Sequence, residues 1–410
     1  MSALPHTLIP VTEVSRRIME AVSPIGTVEQ LPLRSALGRV LAKDVVSGFQ
    51  VPPADNSAMD GYAVKWADLP ASQEQEVALT VVGTTLAGAP WSGQLGSGQS
   101  VRIMTGGVIP CGADTVVMQE QARREGNRVW LGGGHPQGDN VRRAGDDLGV
   151  GQTVLQAGRR LHGADLGLLA SLGIAEVGVY RRPRIAFFTT GDELRSPGES
   201  LEEGQIYDSN RYTLYGLLTH LGVELLDLGA IPDEPKVLEE ALIQGGQAAD
   251  GIIASGGVSV GEADHIRSVL AKRGRVELWR IAMKPGKPLA FGWIGTTLFF
   301  GLPGNPVSTM VTFLQFVRPA LVKLAGESPR APWRLQARCS DNLKKKPGRT
   351  DFQRGLLSMD DQGQWQVRST GDQGSHILTS MSQANCFIVL PQEGGNVAAG
   401  SLVEVELFPV

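Results

Sequence analysis

Cysteine is scarce: Cys111, Cys339 and Cys386 are the only three in 410 residues. They are too few and too scattered for a disulfide framework or a zinc site, which points to a reducing compartment. Charge of one sign is lacking too. Thirty-eight Lys and Arg stand against 42 Asp and Glu, a formal net charge of −4, so nothing in the composition supports nucleic acid as a partner. Any anion site must therefore be local. The most apolar run, Pro288 to Leu302, is broken by glycines and falls short of the roughly 20 residues that a bilayer requires, so no membrane partner is expected. The opening Met-Ser-Ala-Leu-Pro-His has no basic segment followed by an apolar one, and a cytoplasmic location is expected.

What the chain does have is length and turns. At 410 residues with 42% hydrophobic content it exceeds one ordinary core and suggests three or four domains. Fifty-two glycines and 24 prolines imply many tight turns without low-complexity repeats. Three segments between residues 250 and 310 organise the rest. The first, Asp-Gly-Ile-Ile-Ala-Ser-Gly-Gly-Val-Ser-Val-Gly-Glu-Ala-Asp (250–264), reads as a buried strand ending in a loop whose amides at Gly256, Gly257, Ser259 and Gly261 can approach a ligand closely. On its own this is a turn. It lacks the Lys-Ser/Thr of a phosphate-binding P-loop and the Gly-x-Gly-x-x-Gly dinucleotide pattern. The second, Lys-Pro-Gly-Lys-Pro (284–288), restrains two ammonium groups with prolines. Each could contribute roughly 4 kcal/mol to a phosphate-like charge at about 4 Å, before desolvation is deducted. The third, Gly-Leu-Pro-Gly-Asn-Pro-Val-Ser (301–308), enters a helix with Asn305 at the N-cap and Pro306 at N1, leaving amides and Ser308 for an anion.

Along the chain, Thr12 is expected to cap a helix carrying Val14, Ile18 and Val22, and composition changes at Pro52-Pro53. The loop Pro53-Ala-Asp-Asn-Ser-Ala-Met-Asp-Gly-Tyr-Ala (53–63) is by itself a turn with an Asp-Gly hairpin signal. Residues 77–131 alternate short β-runs with glycine turns and suggest a small β-rich domain. Arg142-Arg-Ala-Gly-Asp-Asp (142–147) reads as a solvated charged turn. From Arg184, strands alternate with helices through residue 325, predicting a parallel sheet covered by helices. Thr190, Asp192, Glu193, Asp233 and Asp264 then fall after strand ends, where ligands of open α/β sheets bind. Beyond Pro329, short strands without helical periodicity read as a C-terminal β-domain.

The three central segments in this order, with Ser-Ala-Met-Asp-Gly-Tyr-Ala (57–63), Lys-Lys-Lys-Pro-Gly-Arg (344–349) and Gly-Asp-Gln-Gly-Ser-His-Ile-Leu (371–378), resemble the molybdopterin molybdenumtransferase family, the type shared with the E domain of gephyrin. The resemblance runs from residue 52 to residue 375. It implies a multidomain α/β plus β chain: a discontinuous linking domain (1–51 and 147–177), a small β-rich domain (52–146), a central α/β molybdopterin-binding domain with a parallel sheet (178–327) and a C-terminal β-domain (328–410). The implied reaction delivers molybdate to adenylylated molybdopterin and hydrolyses the adenylate with Mg²⁺, releasing AMP and molybdenum cofactor.

The same resemblance implies roles for single residues. Lys287, Pro288, Ser308, Arg349 and Ser375 would hold molybdate. Lys284, Ser259 and the amides of Gly256, Gly257 and Gly261, next to Gly304 and Asn305, would hold the pterin phosphate and nucleotide. Glu193, Asp233 and Asp264 would position Mg²⁺, an ion suited to carboxylate and phosphate oxygens. Asp60, Thr105 and Asp147, with Glu120 and Asp146 nearby in similar motifs, would complete the cleft from the second subunit of a homodimer. Asp146-Asp147 stands where family loops carry Glu-Asp, a shorter reach. Molybdopterin adenylyltransferase and molybdoenzyme maturation proteins are the implied partners. Two other functions compete: the adenylyltransferase reaction itself, and a non-catalytic scaffold of the gephyrin type.

Overall fold

Strand Arg184–Thr190 sends alternate side chains to opposite faces, as a pleated strand must, and that alternation builds two cores. In this computed structural model, which describes residues 8–257 and 274–409, Ile185 and Phe187 face one layer of helices while Ala186 and Phe188 face the other. All four are buried. The sheet has the order 224–231, 184–190, 251–255, 297–302, 288–294, 274–280. Its first four strands are parallel, as the strand–helix alternation predicts. Strand Pro288–Ile294 runs antiparallel to both its neighbours, so the sheet is mixed rather than wholly parallel. Lys284 to Lys287 lie in the connection into strand Pro288–Ile294, which returns by a hairpin and needs no crossover helix.

One face of this sheet carries helix Ser209–Leu221 and the long helical run Pro306–Leu324; the other carries Pro235–Ala248. Asp208 caps the first of these by accepting from the Arg211 amide at 3.1 Å. The run Pro306–Leu324 is long and apolar enough to cross a membrane, but 61% of it is buried within the fold, which is the signature of a core helix. Helix Val11–Ala21 packs Val14 and Ile18 on the same core. Pro10 stands at its N-cap with no side-chain bond, so the expected capping by Thr12 does not occur.

Upstream, strands Val28–Pro32 and Glu176–Tyr180 pair antiparallel, and Ala36, Leu41, Leu155 and Leu169 share one core. Residues on both sides of the intervening β-rich segment thus pack together. That segment forms a six-stranded sheet around Tyr62, Leu79, Val117 and Val129. Asp60-Gly61 makes no hairpin there: strand Gly61–Val64 pairs with 99–103 and 115–118, while Asn56–Ser57 pairs with 141–142.

At the C-terminal end, strands 350–359, 365–369, 334–339, 402–407 and 386–390 pair in that order, and 386–390 pairs back to 350–359. The sheet closes into a barrel, which leaves no exposed edge among these strands. Two backbone links dock the barrel on the α/β domain. Strand Met283–Lys284 adds to Thr350–Met359 in parallel, with the Thr350 amide donating to Ala282 O at 2.8 Å. The Val307 amide donates to Ser375 O at 3.1 Å.

Candidate active site

Those two links place a cleft of about 570 Å³ on the seam between the domains. Lys284, Lys287 and Pro288 line it from one loop; Gly304, Asn305 and Ser308 line it from the helix entrance. Arg349 and Ser375 line it from the barrel. Among the described residues, Lys284, Lys287 and Arg349 have no carboxylate within ion-pair distance; buried Asp351 acts on Lys284 and Arg349 from behind and Asp372 shares the lining, so the three positive groups outnumber the acids around one concavity. Such a field attracts an anion and is strongest where water is excluded.

Backbone geometry requires glycine at two points here. Gly286 has φ +94°, and a Cβ on it would lie 2.5 Å from Thr312 Oγ1. Gly256 has φ +98°, and its Cβ would lie 2.4 Å from Thr190 O. These close approaches let the lysine loop settle on the helix and the strand end settle beside Gly304. The helix entrance is less open than its sequence suggests. Asn305 makes no side-chain capping bond, and the Val307 amide is spent on Ser375 O. Ser308 is buried at the cleft wall.

Two buried cations that sequence reasoning missed hold the barrel loops. Lys345 is 6% exposed, and its ammonium donates to the carbonyls of Arg349 at 2.9 Å and Gly394 at 3.1 Å, with longer bonds to Lys346 and Gln392. In the run Lys344-Lys345-Lys346 it reads as one more solvated charge; only burial singles it out. Arg354 is 1% exposed and donates to the carbonyls of Asp372, Gln373 and Gly374 and to Ser380 Oγ. Burial lowers its pKa to about 10, which leaves it charged at neutral pH. Between these loops lies buried Asp351, whose carboxyl burial pushes up while Lys284, Lys345 and Arg349 pull it back. Asn210 donates to Gly304 O at 2.6 Å and Ser255 Oγ at 3.1 Å, tying the helix entrance to the strand end.

The other expected residues do not line this cleft. Thr105 donates to Asp60 Oδ1 through its amide at 2.7 Å and its hydroxyl at 2.8 Å. The amide bond first, then the hydroxyl, holds the exposed Asp60 carboxyl below its usual range. Asp146 accepts from the Arg143 amide, and Asp147 is exposed on the same turn. Thr190 Oγ1 donates to Asp233 Oδ1 at 2.6 Å, and the Asp233 amide to Asp192 Oδ1 at 3.1 Å. Glu193 is exposed beside them. These acids collect beyond the carboxyl ends of the parallel strands. Ser259, Gly261 and Asp264 lie outside the described residues. Among the described residues no group of three His, Cys, Asp or Glu is placed to hold a metal ion.

Three family profiles cover the chain in sequence: the MoeA N-terminal region (domain I and II) over residues 9–173, a probable molybdopterin binding domain over 186–323, and the MoeA C-terminal region (domain IV) over 336–408. The molybdopterin molybdenumtransferase of Haemophilus influenzae is 45% identical over 98% of this chain and 99% of its own. The chain belongs to the molybdopterin molybdenumtransferase family. The crystal structure of a molybdopterin biosynthesis moeA protein from Pyrococcus horikoshii OT3 superposes with a TM-score of 0.85 at 30% identity, covering 98% of this chain and 100% of that one. Gephyrin of Dictyostelium discoideum is 33% identical over 98% of this chain, which spans 62% of that longer protein.

Two outcomes follow from the site. Lys345→Met strands buried carbonyls and should cost about 2–4 kcal/mol in urea unfolding. Because the folded Asp60 carboxyl titrates below its unfolded value, the Thr105 contact contributes above the unfolded pKa of about 4 and is lost as pH falls through the folded value. The protection factor of the Thr105 amide, its exchange relative to the unfolded chain at the same pH, should therefore fall in acid in the parent protein, and Asp60→Asn should flatten that dependence.

Proposed function

We infer from family membership that this chain is an enzyme of molybdenum cofactor biosynthesis. We propose that its reaction is delivery of molybdate to adenylylated molybdopterin with hydrolysis of the adenylate, and that the seam cleft is where the oxyanion binds. One observation supports the reading: Lys284, Lys287 and Arg349, from two domains, line one cavity whose lining includes the single acid Asp372, and among the described residues none of the three has a carboxylate within ion-pair distance. A tetrahedral oxyanion fits that arrangement. Lys287 and Arg349 neutralise its charge, while Ser308 and Ser375 supply hydroxyl donors at fixed positions and Pro288 limits the lysine's excursion. Lys284 and the amides of Gly256 and Gly257, with Gly304 and Asn305, hold the pterin phosphate in this reading; Ser259 and Gly261, assigned to the same role, lie outside the described residues.

Hydrolysis breaks the phosphoanhydride between the pterin phosphate and AMP, with water supplying the new P–O bond. Glu193, Asp233 and Asp264 would face a phosphate-bound Mg²⁺, which when present neutralises phosphate charge. The support is chemical only: oxygen donors on neighbouring loops, with Asp264 outside the described residues. Asp60, Thr105 and Asp147, which do not line the cleft of their own chain, complete that of a second subunit if the chain forms the cytoplasmic homodimer that the family resemblance implies. Adenylyltransferase chemistry is not favoured, because the barrel contributes Arg349 and Ser375 to a cleft that an α/β domain alone would leave open.

The test is incubation with adenylylated molybdopterin, molybdate and Mg²⁺, followed by AMP release. Lys287→Ala should abolish molybdate-dependent cofactor formation with cooperative unfolding preserved; unchanged molybdate affinity would refute its role. Asp264→Asn should slow adenylate hydrolysis, and turnover equal to the parent's would remove it from the metal set.

A further inference from the structure

Arg354 does not line the cleft, yet it holds the backbone of three residues that do. Its guanidinium donates to Gly374 O at 2.9 Å, Gln373 O at 3.1 Å and Asp372 O at 3.2 Å. Three successive carbonyls thus turn inward onto one buried cation. The peptides concerned are trans, and a planar trans peptide points its N–H opposite to its C=O. Each inward carbonyl therefore directs the following residue's N–H outward. In the 373–374 peptide that N–H, on Gly374, is taken by Asp372 Oδ1 at 2.9 Å. In the 374–375 peptide it belongs to Ser375, which lines the cleft and whose N–H has no partner among the described residues.

The loop has little freedom to turn that group elsewhere. Ser375 O is held by the Val307 amide at 3.1 Å. The Gln373 side chain clamps residue 354 from the other side, accepting from its amide at 2.7 Å and donating to its carbonyl at 3.3 Å. A donor on a carbonyl also polarises its whole peptide unit, so the N–H at the far end becomes a stronger donor.

We propose that Arg354 is a positioning residue for the oxyanion: by gathering the carbonyls of residues 372–374 it aims the Ser375 N–H into the cleft and strengthens it. This deepens the oxyanion reading above and rests on it. Ser375 then contributes two donors, its hydroxyl and its amide, and only the second depends on Arg354.

The experiment titrates molybdate into the full-length parent protein, Arg354→Met, Arg354→Lys and Ser375→Ala by calorimetry, and measures AMP release against molybdate and against adenylylated pterin. Arg354→Met should weaken molybdate binding about tenfold, the worth of one hydrogen bond to a charged group. The KM for molybdate should rise and that for the adenylylated pterin should stay at the parent value, a split that a general loss of structure would not produce. Arg354→Lys should recover part of the affinity, and Ser375→Ala, which keeps the amide and removes only the hydroxyl, should lose a comparable amount, so that the two losses add when the variants are combined. Molybdate should slow hydrogen exchange of residues 370–378 in the parent, and do so less in Arg354→Met. Parent-like molybdate affinity in Arg354→Met, or equal loss for both substrates, overturns the proposal. Should Arg354→Met fail to fold, Arg354→Lys decides by the same split. No molybdate binding by the parent protein would overturn the oxyanion cleft itself, a different result from binding that ignores Arg354.

Discussion

The site depends on how two buried cations are satisfied. Burying a charge is costly unless it is paired or richly hydrogen-bonded, and the usual solution is a carboxylate. Lys345 and Arg354 use backbone carbonyls instead. Each therefore anchors a loop without adding negative charge to the seam. The one buried acid nearby, Asp351, is shared among Lys284, Lys345 and Arg349, so the cleft retains a net positive field while its walls stay rigid.

Rigidity matters because the cationic groups come from separate domains. The Ala282–Thr350 and Ser375–Val307 backbone bonds join the barrel to the sheet on either side of the cleft. Phe352 and Phe387 of the barrel also pack in the core formed by the helical run Pro306–Leu324. Arg349 and Ser375 are thus kept in one cleft with Lys287 by main-chain hydrogen bonds and apolar burial rather than by mutual attraction, which like charges could not provide. Binding energy from an oxyanion need not be spent on assembling the pocket.

Much of this was legible in the residues. The alternation of strands and helices after Arg184, the short strands beyond Pro329, and the clustering of Lys284, Lys287, Ser308, Arg349 and Ser375 follow from patterning and from motif resemblance. Local capping was less legible. Thr12 and Asn305 are good N-cap residue types, but neither makes the side-chain bond, because Pro10 begins the first helix and Ser375 occupies the second helix's amide. The one reversed strand of the central sheet, Pro288–Ile294, was missed because a short apolar run carries no record of its direction.

By itself, the order of residues determined which domains form, which turns need glycine and which side chains can meet an anion, since these follow from local sterics and periodic burial. Tertiary structure alone decided which charges are buried. Lys345 and Lys346 are neighbours of one type, yet one is an internal clamp and the other is exposed. Arg354 lies in a strand with no motif around it, and its importance arises from three carbonyls that a loop 18 to 20 residues away brings to it. Long-range hydrogen bonding of this kind has no period and no spacing to read, because it depends on where a closed barrel returns its chain.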